Sequence, residues 1–372
     1  MKSLASIVLG IAIASCSTSS GSTSEPAPAP TPPKPTANGT VDAFQELTAM
    51  PTPRGNHCTV AVDGWIVAIG GNYKPAGKQD FVTTDLIHAA KIGEGGTLGE
   101  WKVAGKAPLP VSSCTAAADG RDVYVLDGSY ENEPAHAPRT VRRATLAEDG
   151  TLGAWQDAGT LPEGVRVLYS VADVSQGALR AFHARLPDDG DAISFVRAPL
   201  AASVANDWQE SKWLVGFRGH PQYAFAETPA GTFLYALGGY AGPNQGNAML
   251  ATAAGAKLDA KGMPGPSFPL RDLPQPNGFG EAVAVDGWLF LVGGKGSIFP
   301  SDTCKTCATA RAEVLAAPIA ESGTLGEWKT VATMPQGRTA HTVVVSGNYL
   351  YVVGGAFDAG GLTTVWSARV RF

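Results

Sequence analysis

The chain has 372 residues, of which 44% are apolar and only 16% are charged, so it is long enough for one large β domain or two smaller ones. Its 45 glycines and 27 prolines indicate many turns between short strands. A formal net charge of -5 and the lack of a basic cluster argue against nucleic-acid binding, so we expect no nucleic-acid partner.

The N-terminus has the features of a secretory signal: Lys2, an apolar run over residues 4–14, which is short for a membrane span, and then small residues. The sequence Ile13-Ala14-Ser15-Cys16 resembles the lipobox of bacterial lipoproteins, in which the cysteine becomes the lipidated first residue. The resemblance implies a signal peptide over residues 1–16 and a lipid anchor on Cys16. Because serine and not aspartate follows the cysteine, it also implies the outer membrane of a Gram-negative cell envelope, on its periplasmic or surface face. An ordinary signal peptide with an incidental cysteine is the alternative.

Residues 17–40 consist of small, polar and proline residues without any large apolar side chain. Such a segment cannot bury enough surface to offset its ordering entropy, so we predict a disordered tether. At roughly 3 Å per residue the tether would span about 70 Å when fully stretched. The lipid anchor is then the only expected contact with the membrane.

A six-residue motif occurs three times in the remaining chain, at residues 96–101, 150–155 and 323–328. It reads Gly-Thr-Leu-Gly, then Glu or Ala, then Trp, which predicts a tight turn that delivers an aromatic anchor to a strand. Weaker copies occur at residues 206–208 and 266–268. The anchors recur at about 53 to 60 residues, near the period of kelch-type propeller repeats. They are Phe44, Trp101, Trp155, Trp208, Phe268 and Trp328.

Each repeat predicts short strands joined by hairpins, and the Asp-Gly pairs at residues 63–64 and 286–287 are strong hairpin signals. The third repeat is degenerate, because it lacks the Gly-Gly pair that follows the second strand in repeats one, four, five and six. The predicted strands are, in repeat one, 57–62, 65–69, 84–92 and one that starts at Trp101, and in repeat two, 114–118, 123–126, 140–146 and one that starts at Trp155. In repeat three they are 165–172, 179–183 and 193–198, and in repeat four, 223–226, 233–237 and one that starts at 249. In repeat five they are 281–285, 288–292 and 312–317, and in repeat six, 341–345, 349–353 and 363–370.

The sixth repeat is one strand short at Phe372, whereas residues 44–47 precede the first repeat without a blade of their own. We therefore predict that residues 44–47 form the outer strand of blade six. Closing the ring in this way removes the unpaired edges of an open stack of sheets.

The Gly-Gly pairs, the anchor tryptophans and residues 334–338 before the last inner strand make residues 41–372 resemble the kelch-repeat family, specifically its bacterial secreted members. The resemblance implies an all-β fold, a six-bladed kelch-type β-propeller closed by an N-terminal outer strand. It does not fix an activity, because such propellers host enzymes, sugar binders and protein-interaction platforms.

Polar side chains just before and at the start of the inner strands are predicted to line one mouth of the central channel. A rim rich in arginine and histidine would concentrate positive potential where an anion or a polyhydroxylated ligand binds. The alternative is that these side chains tie neighbouring blades together through backbone carbonyls. The candidates are Arg54, His57, Arg166, Arg218, His220, Asn277, Glu281, Arg338 and His341.

Four long loops on the same rim carry the aromatic residues Tyr73, Tyr130, Tyr240 and Phe299. Aromatic side chains on a rigid scaffold suit sugar stacking or protein contact. The alternative is that they fold back and cover their own loops.

Cysteine pairs occur at two places. Cys304 and Cys307 lie in the longest loop, where a local disulfide is the simplest interpretation in an oxidising compartment. Half of a zinc site and a redox-active pair are the alternatives. Cys58 and Cys114 hold corresponding places on adjacent inner strands and form either a bridge between blades or two buried thiols. We expect no metal and no cofactor.

No nucleophile elbow and no zinc-helix motif is present in the sequence. We expect a monomeric lipoprotein that binds a glycan or protein partner at the rim without catalysis. The resemblance supplies an alternative, because six-bladed periplasmic kelch proteins include sialic-acid mutarotases. It implies that Arg338 would hold the acid group of a sugar while Glu281 moves a proton. A structural role in an envelope assembly is a third possibility and predicts a large apolar patch on the outer faces.

Overall fold

The computed structural model describes residues 39–372 except 76–79, 127, 131–138, 166, 168–169, 185–192, 214–217, 242–247, 298–308 and 358–359. The chain divides into two units, Met1–Lys34 and Pro35–Phe372, and the described strands all belong to the second. Within the described ranges the only helical segment is a 3-10 turn at Glu94–Gly96. No helix in these ranges has the length and apolar character needed to cross a membrane. The predicted signal peptide, Cys16 and nearly all of the predicted tether lie outside the described residues.

Blades one, four and five are separate four-stranded sheets, and blade two likewise has four strands, each of which pairs antiparallel with the next. The strands of blade one are Cys58–Val62, Trp65–Ile69, Leu86–Lys91 and Lys102–Lys106. The strands of blade two are Thr115–Asp119, Asp122–Leu126, Thr140–Thr145 and Gln156–Thr160. Those of blade four are Gln222–Thr228, Gly231–Leu237, Ala253–Lys257 and Phe268–Pro269. Those of blade five are Glu281–Val285, Trp288–Val292, Glu313–Pro318 and Lys329–Thr333.

Blade three is present despite its degenerate sequence. Its strands are Ala172–Ser175, Ala178–Ala184, Ile193–Ala201 and Gln209–Trp213. A short strand, Val204–Ala205, pairs parallel with the outer strand of blade two, so that the two blades share one nine-stranded sheet.

Blade six confirms the predicted ring closure. It contains Thr342–Ser346, Tyr349–Val353 and Val365–Arg371, and its outer edge is formed by Thr40–Val41 and Gln45–Glu46. The ring of Phe44 lies beside that of Trp366, with 6.5 Å between the ring centroids. The chain is therefore a six-bladed kelch-type β-propeller whose first strands complete its last blade.

Two small hairpins extend from the second strands of blades one and six, and they pair Asn72–Tyr73 with Val82–Thr83 and Ala356–Phe357 with Gly360–Gly361. In blade two, Ser129–Tyr130 after the second strand pairs with Val111–Ser112, which precedes the first strand.

Two predicted strand positions were wrong. The inner strand of blade three starts at Ala172 and not at 165, because the hairpin turn lies at Gln176 and Gly177, whose φ angles are 52° and 67°. Val165 is buried instead in the hydrophobic core that blade three shares with blade two. The third strand of blade four starts at Ala253, since Met249 forms only an isolated bridge with Tyr240.

The glycine that opens the repeated motif lets the motif contact the preceding blade. Each of these glycines has a φ of 77° to 80°, and a Cβ atom added there would overlap an aromatic ring. Only glycine fits this left-handed backbone against a ring without strain. The contacts are Gly96 with Tyr349, Gly150 with Trp65, and Gly323 with Phe233.

The tryptophan that ends the motif also bonds to the preceding blade. Trp101 Nε1 donates to Thr48 O over 2.8 Å, and Trp155 Nε1 donates to Lys106 O over 2.8 Å. Most hydrophobic clusters accordingly contain residues from two adjacent blades. The repeated motif thus packs the blades against one another around the central channel.

Candidate functional site

The second glycine of each Gly-Gly pair joins one blade to the next near the channel mouth. Its N–H donates to the carbonyl of the residue at the arginine position of the following blade. The bonds are Gly71 to Val111 at 2.7 Å, Gly239 to Asn277 at 2.7 Å, Gly294 to Arg338 at 3.0 Å and Gly355 to Arg54 at 2.9 Å.

The side chain at the arginine position bonds within its own blade, to the carbonyl of the first glycine. We call these side chains the arginine layer. Arg54 and Arg338 are 0% exposed, and burial lowers their pKa to about 10 and about 9. The bonds are Arg54 to Gly70 at 2.9 Å, Arg218 to Gly238 at 2.9 Å, Asn277 to Gly293 at 2.9 Å and Arg338 to Gly354 at 2.7 Å.

Aromatic and hydroxyl groups complete the surroundings of the two buried arginines. The Arg338 guanidinium carbon lies 3.5 Å from the ring centroid of Trp366, and Nη2 donates to Thr364 Oγ1 over 2.9 Å. Nη2 of Arg54 lies 2.7 Å from His88 Nδ1, and burial lowers the pKa of His88 to about 4, so that this nitrogen accepts. These guanidinium groups are engaged inside the protein and have no surface left for a ligand.

A second set of bonds between blades surrounds the channel mouth itself. The residue two positions before the inner strand has a left-handed backbone in five blades, with φ between 47° and 61°. Such a backbone is strained for residues other than glycine and persists where surrounding bonds hold it. The N–H donors and carbonyl acceptors are Ser113 to Asn56 at 2.6 Å, Asn56 to Ala340 at 2.9 Å, Ala340 to Phe279 at 3.1 Å and Phe279 to His220 at 3.2 Å.

Inside this ring lies a cavity to which all six blades contribute. It contains about 120 Å³ of water-accessible space and is partly open to solvent. Its lining is formed by residues 56–59, 113–116, 170–172, 220–221 with 223, 279–281 and 340–343.

The inner strands meet in pairs at the wall of the cavity. We define a seam pair as the first residue of one inner strand and the residue that precedes the inner strand of the next blade. Cys58 and Cys114 form one seam pair and are joined by a disulfide, with Cα atoms 5.5 Å apart. This bridge between blades is one of the two alternatives that the sequence left open.

Two further seam pairs are joined by hydrogen bonds. Thr342 Oγ1 lies 3.1 Å from His57 Nε2 where blade six meets blade one. Where blade four meets blade five, the side-chain oxygen of Gln222 accepts from Gly280 N over 3.2 Å when its amide is oriented to satisfy both of its groups. The pair between blades five and six is Glu281 with His341.

The ionisable groups of the lining are uncharged near neutral pH. Burial lowers the pKa of His341 to about 3 and that of His220 to about 4, and it lowers the pKa of His57 well below its ordinary value. Burial also raises the pKa of Glu281 to about 8. The cavity therefore offers neutral imidazoles and a carboxylic acid that remains protonated at neutral pH.

Several polar atoms of the lining are buried and lack a hydrogen-bond partner in the part of the chain that the structure describes. The Oγ1 atom of Thr115 and the hydroxyl of Tyr223 are two of them, and Nδ1 of His57 is a third. Burial raises the pKa of Tyr223, which keeps its hydroxyl protonated. Nearly all buried polar groups in proteins are bonded, so these unpartnered atoms mark where the lining still has hydrogen-bonding capacity.

Aromatic rings stack at the mouth where blades four and five meet. His220 and Phe279 stack with 4.1 Å between their centroids, and Tyr240 lies 5.9 Å from His220. Lys295 Nζ lies 4.6 Å from the centroid of Phe279.

The structure separates the predicted site residues into two groups. His57, His220, Glu281 and His341 lie in the cavity lining, whereas the arginine layer, which consists of Arg54, Arg218, Asn277 and Arg338, lies outside it. Tyr73 is partly buried in its hairpin. The remaining predicted positions, Arg166, Phe299, Cys304, Cys307 and the side chain of Tyr130, lie outside the described residues.

Sequence analysis missed Ser113, Thr115 and Tyr223 as lining residues. Their signal is their place in the repeat, one or two residues from the positions of His57 and His341, and not their residue type. Within the described ranges, no group of three or more His, Cys, Asp or Glu side chains is arranged to hold a metal ion.

Comparisons with known proteins show similarity of fold alone. No protein-family model matches the chain, and no curated protein matches its sequence. The solved structure of YjhT is similar, with a TM-score of 0.61 and 12% sequence identity, over 88% of this chain and 99% of that chain. At this identity the similarity supports the propeller and carries no information on a ligand.

Proposed function

We propose that the protein binds a small polyhydroxylated ligand, such as a glycan unit, in the central cavity and acts as a non-catalytic binding platform. The observation that supports this proposal is the set of buried polar atoms without a partner in the described part of the chain that belong to side chains lining one cavity, among them Thr115 Oγ1 and the Tyr223 hydroxyl. A buried polar group without a partner costs about 1–3 kcal/mol, which a ligand hydroxyl would offset.

The rest of the mouth is consistent with a sugar. Sugar rings present hydroxyls at their edges and C–H groups on their faces, so binding sites combine hydrogen-bonding groups with aromatic rings. The stacked rings of His220 and Phe279 stand beside the hydroxyl-rich lining.

We place this platform in the cell envelope of a Gram-negative bacterium, held at the outer membrane by a lipid on Cys16 and by the tether of residues 17–40. This part of the proposal rests on residues 13–16 and on the composition of the tether. Labelling with a radioactive fatty acid in cells, with Cys16→Ser as the control, tests it. Label retained in the C16S protein would contradict it.

Thermal shift with a panel of sugars tests the cavity. A ligand at a hundred times its Kd adds about 2.7 kcal/mol to the free energy of unfolding, a rise of a few degrees in Tm for a domain of this size. We expect Thr115→Val and Tyr223→Phe to reduce the shift, and Ala116→Trp, which fills the cavity, to abolish it. An undiminished shift in A116W would place binding elsewhere and contradict the proposal.

A sugar-modifying enzyme is the second candidate, favoured by the raised pKa of Glu281 in the cavity. A carboxylic acid that titrates near the working pH suits general acid-base catalysis. Arg338, the expected partner of Glu281, is fully buried and bonded to carbonyls, so His341 replaces it as the second polar group. NMR exchange between sugar anomers tests this candidate. Exchange that is not accelerated by the wild-type protein, or is accelerated equally by E281Q, contradicts it.

A further inference from the structure

The seam pairs can be compared with one another, because the repeat places different residues at the same two positions of the cavity wall. One pair is covalent, Cys58 with Cys114. Two others are hydrogen-bonded, Thr342 with His57 and Gln222 with Gly280. In these three seams the polar groups of the pair are used within the protein.

His341 occupies the same environment as His57. The Cε1 atom of His341 lies 2.9 Å from where a Cβ would stand on Gly293, and that of His57 lies 2.9 Å from the same point on Gly354. The carbonyl of Val292 approaches His341 closely enough to raise its pKa slightly. Val292 is also the direct cross-strand partner of Glu281. Relative to His341, Glu281 therefore holds the position in the repeat that Thr342 holds relative to His57.

This seam nevertheless lacks the bond that its equivalents have. Neither ring nitrogen of His341, which is 1% exposed, has a well-formed hydrogen bond in the described part of the chain. The structure records no hydrogen bond for the Glu281 carboxyl among these residues either. Both side chains line the cavity.

We infer that Glu281 and His341 form a hydroxyl-binding subsite, and that the ligand of the cavity is an uncharged sugar and not a sugar acid. The inference rests on the proposed function and specifies the ligand class. A hydroxyl both donates and accepts. It can accept from the carboxylic acid while it donates to an imidazole nitrogen, or it can donate to the carboxyl oxygen while it accepts from the imidazole N–H. One ligand hydroxyl thus completes the seam that the protein leaves open.

The charges around the cavity favour an uncharged ligand. The cavity lining, as far as the chain is described, contains neither lysine nor arginine. Arg54 and Arg338 are held by backbone carbonyls, and Lys295 lies over Phe279, outside the lining. A ligand carboxylate beside Glu281 would be buried next to a like group, with no cation among the described lining residues to pair with it.

Binding of glucose, N-acetylglucosamine and glucuronate to the purified full chain tests this inference by saturation-transfer NMR and calorimetry at pH 7. We expect a neutral sugar to bind at least about tenfold more tightly than glucuronate. Glu281→Ala removes one bonded group and should weaken neutral-sugar binding about tenfold, which corresponds to about 1.4 kcal/mol. Glu281→Gln keeps a donor and an acceptor and should stay within about threefold of wild type.

Glu313→Ala is the matched control, because it removes the same carboxyl from the third strand of the same blade, outside the lining. Circular dichroism checks that each variant is folded. Tighter binding of glucuronate, or unchanged affinity in E281A, overturns the inference. If none of the three sugars binds, or if A116W binds as well as wild type, the proposed function fails first and the inference fails with it. Loss in A116W together with full affinity in E281A overturns the inference alone.

Discussion

The arginine layer and the cavity lining lie within three residues of each other in the same loops, yet their side chains are used differently. Arg338 donates to two carbonyls and a hydroxyl and stacks on Trp366, whereas His341 lacks a well-formed bond in the described part of the chain. The terminal nitrogens of Arg54 and Arg338 are bonded, although their Nε atoms have no partner among the described residues. Charge in the arginine layer therefore serves folding, whereas in our proposal the neutral polar groups of the lining serve binding.

The contrast between the two layers predicts its largest effect at Arg338. It fails if replacing Arg338 hardly lowers the free energy of unfolding. Arg338→Ala leaves Gly354 O and Thr364 O without their buried donor and removes the contact with Trp366. We expect a loss of about 3–5 kcal/mol in the free energy of unfolding, since each buried carbonyl left without a donor costs about 1–3 kcal/mol and the packing against Trp366 is lost as well. Urea denaturation measures it. Glu313→Ala should change stability far less, and a loss in R338A no larger than that of E313A would contradict the assignment.

Removing the disulfide leaves the seam between blades one and two without a covalent link, like the other seams. Replacing both Cys58 and Cys114 by alanine removes a crosslink between residues 56 positions apart. Such a crosslink stabilises by about 2–4 kcal/mol, mainly by restricting the unfolded chain. Thermal unfolding of the double variant, and of wild type with and without reductant, should show the same loss of stability. A reduced wild type as stable as the oxidised one would contradict this prediction.

The pH dependence of stability sharpens the comparison at Glu281. Its carboxyl titrates at about 8 in the folded protein and near 4.5 when unperturbed. The folded state therefore binds more protons between these values, and the free energy of unfolding falls as the pH rises through this window. Glu281→Gln removes this contribution of the carboxyl to the pH dependence of stability. It should match wild type at pH 5 and exceed it at pH 8 by on the order of 1–2 kcal/mol, since one pKa unit corresponds to about 1.4 kcal/mol and partial exposure reduces the full effect. Parallel stability profiles of the two proteins would contradict it.

The smallest effect is expected at the seam between blades six and one. Thr342→Val removes the hydroxyl that contacts His57 Nε2 and Thr59 Oγ1. The loss of these two part-buried hydrogen bonds, at about 0.5 kcal/mol each, predicts about 1 kcal/mol, measured by urea denaturation. Thr330→Val, the same change at an exposed position of the strand Lys329–Thr333, is the control. Stability unchanged in T342V would show that His57 does not depend on this partner.

The sequence predicts the architecture well because its signals are local. A Gly-Gly pair and an anchor tryptophan each require a particular backbone or packing environment, so their recurrence locates the blades. Blade three departs from prediction because the Gly-Gly signal is missing, and its hairpin uses Gln176 in a left-handed conformation that glycine usually occupies.

The sequence predicts the site less well, because residue type is a poor guide to which side chains of this repeat are exposed. Arg54 and Arg338 are fully buried although arginine is rarely so, because glycine carbonyls of the turn accept their donors. Thr115 and Tyr223 line the cavity although neither residue type suggests it. Position within the repeat decides which side chain faces the cavity, and that position becomes visible only when the blades are superposed.

Completion of blade six by the first strands also constrains the order of folding. Arg371 bonds to Asp42 across 329 residues of sequence, so the edge of this blade cannot form until almost the whole chain is available. Loop-closure entropy grows only with the logarithm of chain length, so this late contact is not expensive at equilibrium. It is slow to form, because contacts distant in sequence delay folding. Blades one to five can assemble progressively during synthesis, whereas the sixth must wait for both ends, and a chain interrupted near residue 365 would keep an open ring.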